Sequence, residues 1–283
     1  MITVESPVPF NYTTVRATQS RIDKGLLAIP VSMSHWFPRK RGTITVYAGM
    51  DEVASPKNYT PLQSTSGECR IGGMKGFFSD FKVKDGDEVV IQRLDENAYR
   101  MIPERQFQAT IRTVEVALDK VFRDEDVPRH IGRLSRIAHS TWSEVLLGQY
   151  LRLSKTDLPT RRVHAPHPTT KKGNVSPFLK RILADIYGGK CQVTGFSFLM
   201  RNGKPYFEVH HLRPEIGDHV KNLLLVCPNV HAQFTYANVR ETFDEHGWLR
   251  KVQFNEQEYR VAHAIDAMPV FTKEVHLDVS SGA

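Results

Sequence analysis

Cysteine is scarce in this chain, with three residues in 283: Cys69, Cys191 and Cys227. An odd, sparse set makes no disulfide framework and fits a reducing compartment. Long apolar runs are missing too. No stretch approaches the roughly 20 residues needed to span a bilayer, so no membrane partner is expected. The opening MITVESPVPF has neither the charged start nor the continuous apolar run of a secretory signal. These absences lead to the expectation of a cytoplasmic protein. There is no internal repeat. Apolar and charged residues are not depleted, at 40% and 24%, a balance that argues for a folded chain and against global disorder. The length suits two ordinary domains with a linker, or one large one.

What the chain has in excess is positive charge. The formal net charge is +7 and the pI is near 9.3, which favours a polyanionic partner without requiring one. The excess lies mostly in the middle. Residues 106–172 carry twelve Lys or Arg against seven Asp or Glu, whereas residues 173–283 carry twelve of each. A basic connector of this kind can track a phosphate backbone.

Three segments emerge. Residues 1–108 have strand and turn character. Residues 13–18 and 42–48 are rich in β-branched side chains, and 26–29 form a short apolar run closed by Pro30. Residues 84–87, Lys-Asp-Gly-Asp, read as a turn into a strand over 88–94, and 74–81 read as a short helix with Phe77, Phe78 and Phe81 on its apolar side. Residues 109–172 show helical spacing over 111–122 and 131–153, then a basic, proline-containing stretch, 161–172, that reads as an extended linker. That linker is either a solvated tether or a DNA contact. Residues 173–283 open with a helix that has Ser176 as N-cap, Pro177 at its first position and Gly188-Gly189 as its stop.

The chemistry concentrates between Tyr206 and Phe234. Residues 206–212 read as a strand, a loop with Pro214 and Gly217 follows, and 222–227 read as a second strand. Pro228 opens a helix that carries His231 one turn in. Hydrolysing a phosphodiester needs a base that titrates near neutral pH, and a cation that neutralises the phosphate and the leaving oxygen. Adjacent histidines on a strand face opposite ways. One of His210 and His211 can therefore bind a metal while its neighbour takes a proton, if the strand end is irregular or the metal sits at its edge, with His231 completing the metal site. Each histidine alone is more often structural. Arg213, next in the chain, is either a contact to the scissile phosphate or a surface charge.

Glu208-Val209-His210-His211, then Asn222, then Cys227-Pro228-Asn229-Val230-His231 resembles the McrA-like branch of the HNH endonucleases, whose fold is the ββα-metal finger. The resemblance covers residues 187–236. It implies that His210 and His231 hold a divalent cation, Mg²⁺ or Mn²⁺, that His211 is the general base, and that Asn222 organises the loop and the base. Many relatives add two Cys-x-x-Cys pairs around a structural zinc. Here Cys191-Gln192-Val193-Thr194 and Cys227-Pro228-Asn229-Val230 each keep one cysteine. Two thiolates make a poor tetrahedral site, so no structural zinc is expected. Packing by Val230 and Phe196 is expected in its place, with Cys191 and Cys227 as buried neighbours.

Two N-terminal runs, Gly25-Leu26-Leu27-Ala28-Ile29-Pro30 and residues 76–90, resemble the DNA-binding pseudobarrel shared by plant B-three transcription factors and the N-terminal domain of the EcoRII restriction enzyme. That resemblance implies two arms that grip duplex DNA. Arg16, Gln19, Ser20 and Arg21 are candidates in one arm, Glu68 and Arg70 in the other, and Arg39, Lys40 and Arg41 form a backbone-holding cluster. Read singly, each is a solvated surface residue.

The expectation is therefore an α+β chain: an N-terminal β-rich pseudobarrel over 1–108, a helical connector over 109–172, and a C-terminal ββα-metal HNH domain over 173–283. Its expected activity is metal-dependent cleavage of double-stranded DNA, in restriction of Type II or modification-dependent kind. Double-strand cutting favours a homodimer, with the helices of 111–153 as its interface. A nicking or homing nuclease and a non-catalytic DNA-binding regulator are the alternatives.

Overall fold

The structure, a computed structural model, describes residues 2–6, 12–50, 53–62, 67–158, 175–267 and 271–275. It divides into two compact units, one of residues 1–116, 133–141 and 270–283, the other of 117–132 and 142–269. The basic stretch 161–172 lies outside the described residues.

The first unit begins with β1 (Ile2–Ser6), β2 (Thr13–Arg16), α1 (Gln19–Lys24), β3 (Leu26–Pro30), β4 (Gly42–Ala48), β5 (Ala54–Thr60), β6 (Glu68–Gly72), α2 (Lys75–Asp80), β7 (Glu88–Asp95) and β8 (Ala98–Pro103). Seven strands make one sheet in the order β2-β7-β8-β4-β5-β6-β3. Its pairings are antiparallel except that of β4 with β8. The edge strands β2 and β3 come beside one another without pairing, so the sheet is nearly closed. That matches the barrel-like expectation.

Pleating explains its core. Leu27 and Ile29, Ile44 and Val46, Cys69 and Ile71, Val89 and Ile91, and Tyr99 and Met101 each alternate by two and share one buried cluster. Phe77 and Phe78 of α2 join the cluster, and Phe81 packs at its margin. The turn before β7 forms as the sequence implies: Gly86 has φ +85°, and Asp87 Oδ2 accepts from the Lys84 backbone N–H at 3.0 Å. Strand β5 gave no signal because it carries Pro56 and Lys57 and buries only Tyr59.

Next come α3 (Glu104–Asp119), α4 (Val127–Ala138) and α5 (Trp142–Ser154). The single helix expected over 131–153 is two. His139 adopts φ +51°, and the Ser140 N–H reaches back to the Ser135 carbonyl at 3.0 Å, the six-to-one bond of a left-handed helix cap. Apolar periodicity continues across the break, which hid it.

The second unit also holds α6 (Pro177–Tyr187), β9 (Glu208–His211), β10 (Leu223–Val226), α7 (Pro228–Tyr236), β11 (Val239–Phe243), β12 (Leu249–Phe254) and β13 (Gln257–Arg260). β9 pairs antiparallel with β10, and β11, β12 and β13 form a meander. Leu224, Val226, Val230, Leu249, Val252 and Phe254 build the core with Cys191 and Cys227. Gln192 ties the pieces: its Oε1 accepts from Leu225 N–H at 2.8 Å and its Nε2 donates to the Ala262 carbonyl at 2.9 Å. Helix α6 starts at Pro177 and ends in left-handed Gly188, as expected, but the Ser176 side chain makes no capping bond. The last strand, β14 (Phe271–Val275), pairs with β1. Among the described residues, no helix is long and apolar enough to cross a membrane.

Candidate functional site

The site is a strand, loop, strand, helix unit made of β9, residues 212–222, β10 and α7. In register, His210 lies opposite Leu224 and His211 opposite Leu223. Strand alternation sends Glu208 and His210 one way and His211 the other. β10 is buried throughout, so β9 is anchored on an apolar floor while its own side chains stay half-buried.

On the α7 side, His210 stacks on Phe234 with ring centroids 4.1 Å apart and lies 5.3 Å from His231. Burial pushes the His210 imidazole down to about 4, helped by the neighbouring His231 and His211 charges. It is therefore neutral near pH 7, the form that binds metals. Nδ1 of His231 donates to Glu208 Oε2, which leaves Nε2 of His231 for a ligand. That bond holds the Glu208 carboxyl below the usual carboxylate range, against burial and with help from the Tyr206 hydroxyl at 3.0 Å.

On the other side, His211 Nε2 lies 2.8 Å from Asp218 Oδ1. Burial works to raise the Asp218 carboxyl, and the hydrogen bonds from His211 and the Ser176 backbone N–H outweigh it and hold the carboxyl low. Asn222 is buried and spans the loop with three bonds. Its Oδ1 accepts from Arg213 N–H at 2.9 Å, and its Nδ2 donates to the carbonyls of Arg213 and Gly217, each at 2.8 Å.

A cavity of about 610 Å³ opens on this unit, lined by His210, His211, Arg213, Phe234, Glu241 and Phe243 among others. Arg213 lies over the Phe243 ring at 4.7 Å. Burial raises the Glu241 carboxyl, opposed by Arg213. Cationic and titratable groups thus face one open space.

Two imidazoles on one cation, at about 2.1 Å each, put their ring centres about 4.6–5.3 Å apart. The His210–His231 spacing of 5.3 Å fits a shared cation. Among the described residues no group of three His, Cys, Asp or Glu is arranged to hold a metal. A cation here would take its remaining ligands from water or phosphate.

Cys191, Cys227 and Val230 are buried in one cluster. Phe196, expected to pack there, is instead 54% exposed, with its ring tilted against that of Phe198 at 6.1 Å between centroids. His219 is a strut: its Nδ1 accepts from Lys221 N–H at 3.1 Å and its Nε2 lies 2.9 Å from Thr156 Oγ1.

The candidates in the first unit are differently placed. Arg21 and Arg70 both pair with Glu68, at 2.5 and 2.9 Å, so α1 and β6 are cross-linked by one carboxylate. Gln19 starts α1, with its N–H on Asp85 Oδ1 at 2.9 Å and its Nε2 on Asp23 Oδ1 at 2.7 Å. The Arg16 guanidinium lies against Gly86. Arg39, Lys40 and Arg41 are exposed just before β4. Sequence reasoning gave no role to Glu208, Asp218, Phe234 or Glu241. Glu208 was detectable, since it stands two residues before His210 on the same strand face. Asp218 and Glu241 carried no periodic or spacing signal.

No protein-family profile and no curated protein matches the chain. Among solved structures, a chain described as "Arabidopsis FUS3-DNA complex" is similar at 14% identity and a TM-score of 0.28, covering 32% of this chain and 92% of that one.

Proposed function

We propose that the chain is a metal-dependent DNA endonuclease whose strand, loop, strand, helix unit is an HNH-type ββα-metal site. The observation that carries this reading is the division of the adjacent histidines: His210 turns to His231 while His211 turns to a carboxylate. His211 is the general base and takes a proton from water, aimed by its hydrogen bond. Arg213, stacked on Phe243, meets the phosphate. His210 and His231 hold the cation, which when bound supplies charge neutralisation at the phosphate and leaving oxygen. Two imidazole donors suit a transition metal such as Mn²⁺ better than Mg²⁺. The nearly closed sheet of the first unit is the DNA-recognition element, and Arg39, Lys40 and Arg41 are its backbone contacts. Restriction of foreign duplex DNA by a homodimer is the biological role this reading favours.

Incubating supercoiled plasmid, methylated and unmethylated, with the protein and Mn²⁺ or Mg²⁺ tests it. Cleavage is expected from the wild type and a loss of at least 100-fold from His211→Ala. Undiminished cutting by His211→Ala would sink the base assignment. Binding without cleavage under any divalent cation would leave a DNA-binding regulator as the better reading.

A further inference from the structure

We propose that Asp218 is a positioning residue that fixes the tautomer and aim of the His211 imidazole. The proposal rests on the reading of His211 as the general base. Both carboxylate oxygens of Asp218 are engaged. Oδ1 lies 2.8 Å from His211 Nε2, and Oδ2 accepts from the Ser176 backbone N–H at 2.6 Å. An ionised carboxylate only accepts, so the shared hydrogen belongs to Nε2 of His211. That leaves Nδ1 as the ring's lone pair, the one atom able to take a proton from water.

The loop explains how Asp218 arrives there. Asn222 Nδ2 grips the carbonyl of Gly217, the residue directly before Asp218. Gly217 sits at φ +80°, a conformation a side chain would strain. On the other flank, the Asn222 N–H bonds the His219 carbonyl at 2.8 Å, and the His219 ring is pinned by Lys221 and Thr156. Asp218 is therefore clamped on both sides, and its far oxygen is fixed at the start of α6. Asn222 organises the base at a distance, through Asp218.

Asp218→Asn is the discriminating change. To keep the Ser176 bond, the new amide must put its oxygen where Oδ2 is. Its NH₂ then faces His211 and donates to Nε2, driving the ring to the Nδ1–H form. ¹⁵N NMR of the full chain with labelled histidine reads this directly. The wild type is expected to show His211 as Nε2–H and Asp218→Asn as Nδ1–H. In the plasmid assay kcat is expected to fall as it does in His211→Ala, by at least about 100-fold, with KM for DNA within twofold and an unchanged melting temperature. Wild-type His211 carrying its hydrogen on Nδ1, or a variant with wild-type tautomer and kcat, would overturn the proposal. If the wild type cuts no DNA at all, the nuclease reading fails, and the tautomer pair alone still decides the role of Asp218.

Discussion

Nδ1 of His231 donates its hydrogen to Oε2 of Glu208, joining the first residue of β9 to the first turn of α7. The carboxylate sets which nitrogen of His231 faces outward, and it makes that nitrogen a better donor to a cation. Tyr206 holds the other carboxylate oxygen at 3.0 Å, so Glu208 has little freedom to rotate away.

Glu208→Gln is therefore expected to weaken Mn²⁺ binding about 10–100-fold while leaving the fold intact. Calorimetric titration of the metal-free protein with Mn²⁺ checks this without reference to cleavage. Tyr206→Phe, which removes one hydrogen bond and keeps the carboxylate, is expected to have the smaller effect. Equal Mn²⁺ affinities for the wild type and Glu208→Gln would show that Glu208 does not support a metal ligand.

Much of this unit was legible in the sequence, and the reason is local. β9, β10 and α7 follow from alternating and continuous apolar patterns and from Pro228 at a first helical turn. The exchange of partners inside the site was not legible. Asp218 and His211 are seven residues apart and joined by a 2.8 Å bond, and the Asn222 clamp and the Ser176 N–H that bring them together carry no pattern in the sequence. The Ser176 cap shows the same limit. The sequence announces a capping hydroxyl, and the structure uses the backbone N–H of that residue to hold Asp218. In the first unit, β5 and β6 pair with each other and with β4 and β3 although β5 buries one large side chain. Neighbouring strands supply what its own composition lacks.

The Asn222 clamp makes a second prediction. Asn222→Asp keeps shape and volume but replaces a two-hydrogen donor with an oxygen facing the carbonyls of Arg213 and Gly217. Two favourable bonds become oxygen–oxygen contacts at a buried position. The cost in stability is expected at about 2–4 kcal/mol, larger than that of Asn222→Ala, which adds no repulsion. Urea unfolding of the three proteins at pH 7.5 measures it. An Asp variant as stable as wild type would mean that the loop is held elsewhere.

His263 contributes one separable part of the pH dependence. It is buried, its Nε2 donates to the Leu249 carbonyl at 2.6 Å, and its Nδ1 has no partner among the described residues. Burial is the main cause that lowers its pKa, with the Arg250 charge adding to it; the Leu249 carbonyl and the carboxylates of Asp266 and Asp244 act in the opposite sense. In the unfolded chain the same ring titrates near about 6.5. Below that pH the unfolded chain takes up a proton that the folded chain refuses, so folding stability falls as pH falls. The contribution is whole above about pH 6.5 and is lost progressively below it. His263→Gln keeps a donor for the Leu249 carbonyl and cannot titrate. It is expected to be less stable than wild type at pH 7.5, because it loses the ring contact with Trp248, at 4.9 Å between centroids. Between pH 7.5 and 5.5, however, it is expected to lose less stability than wild type, so the two urea midpoints converge. Parallel losses in the two proteins would show that the proton is taken up elsewhere, with His210, pushed down to about 4 mainly by burial, and the buried His219 ring as the next to test.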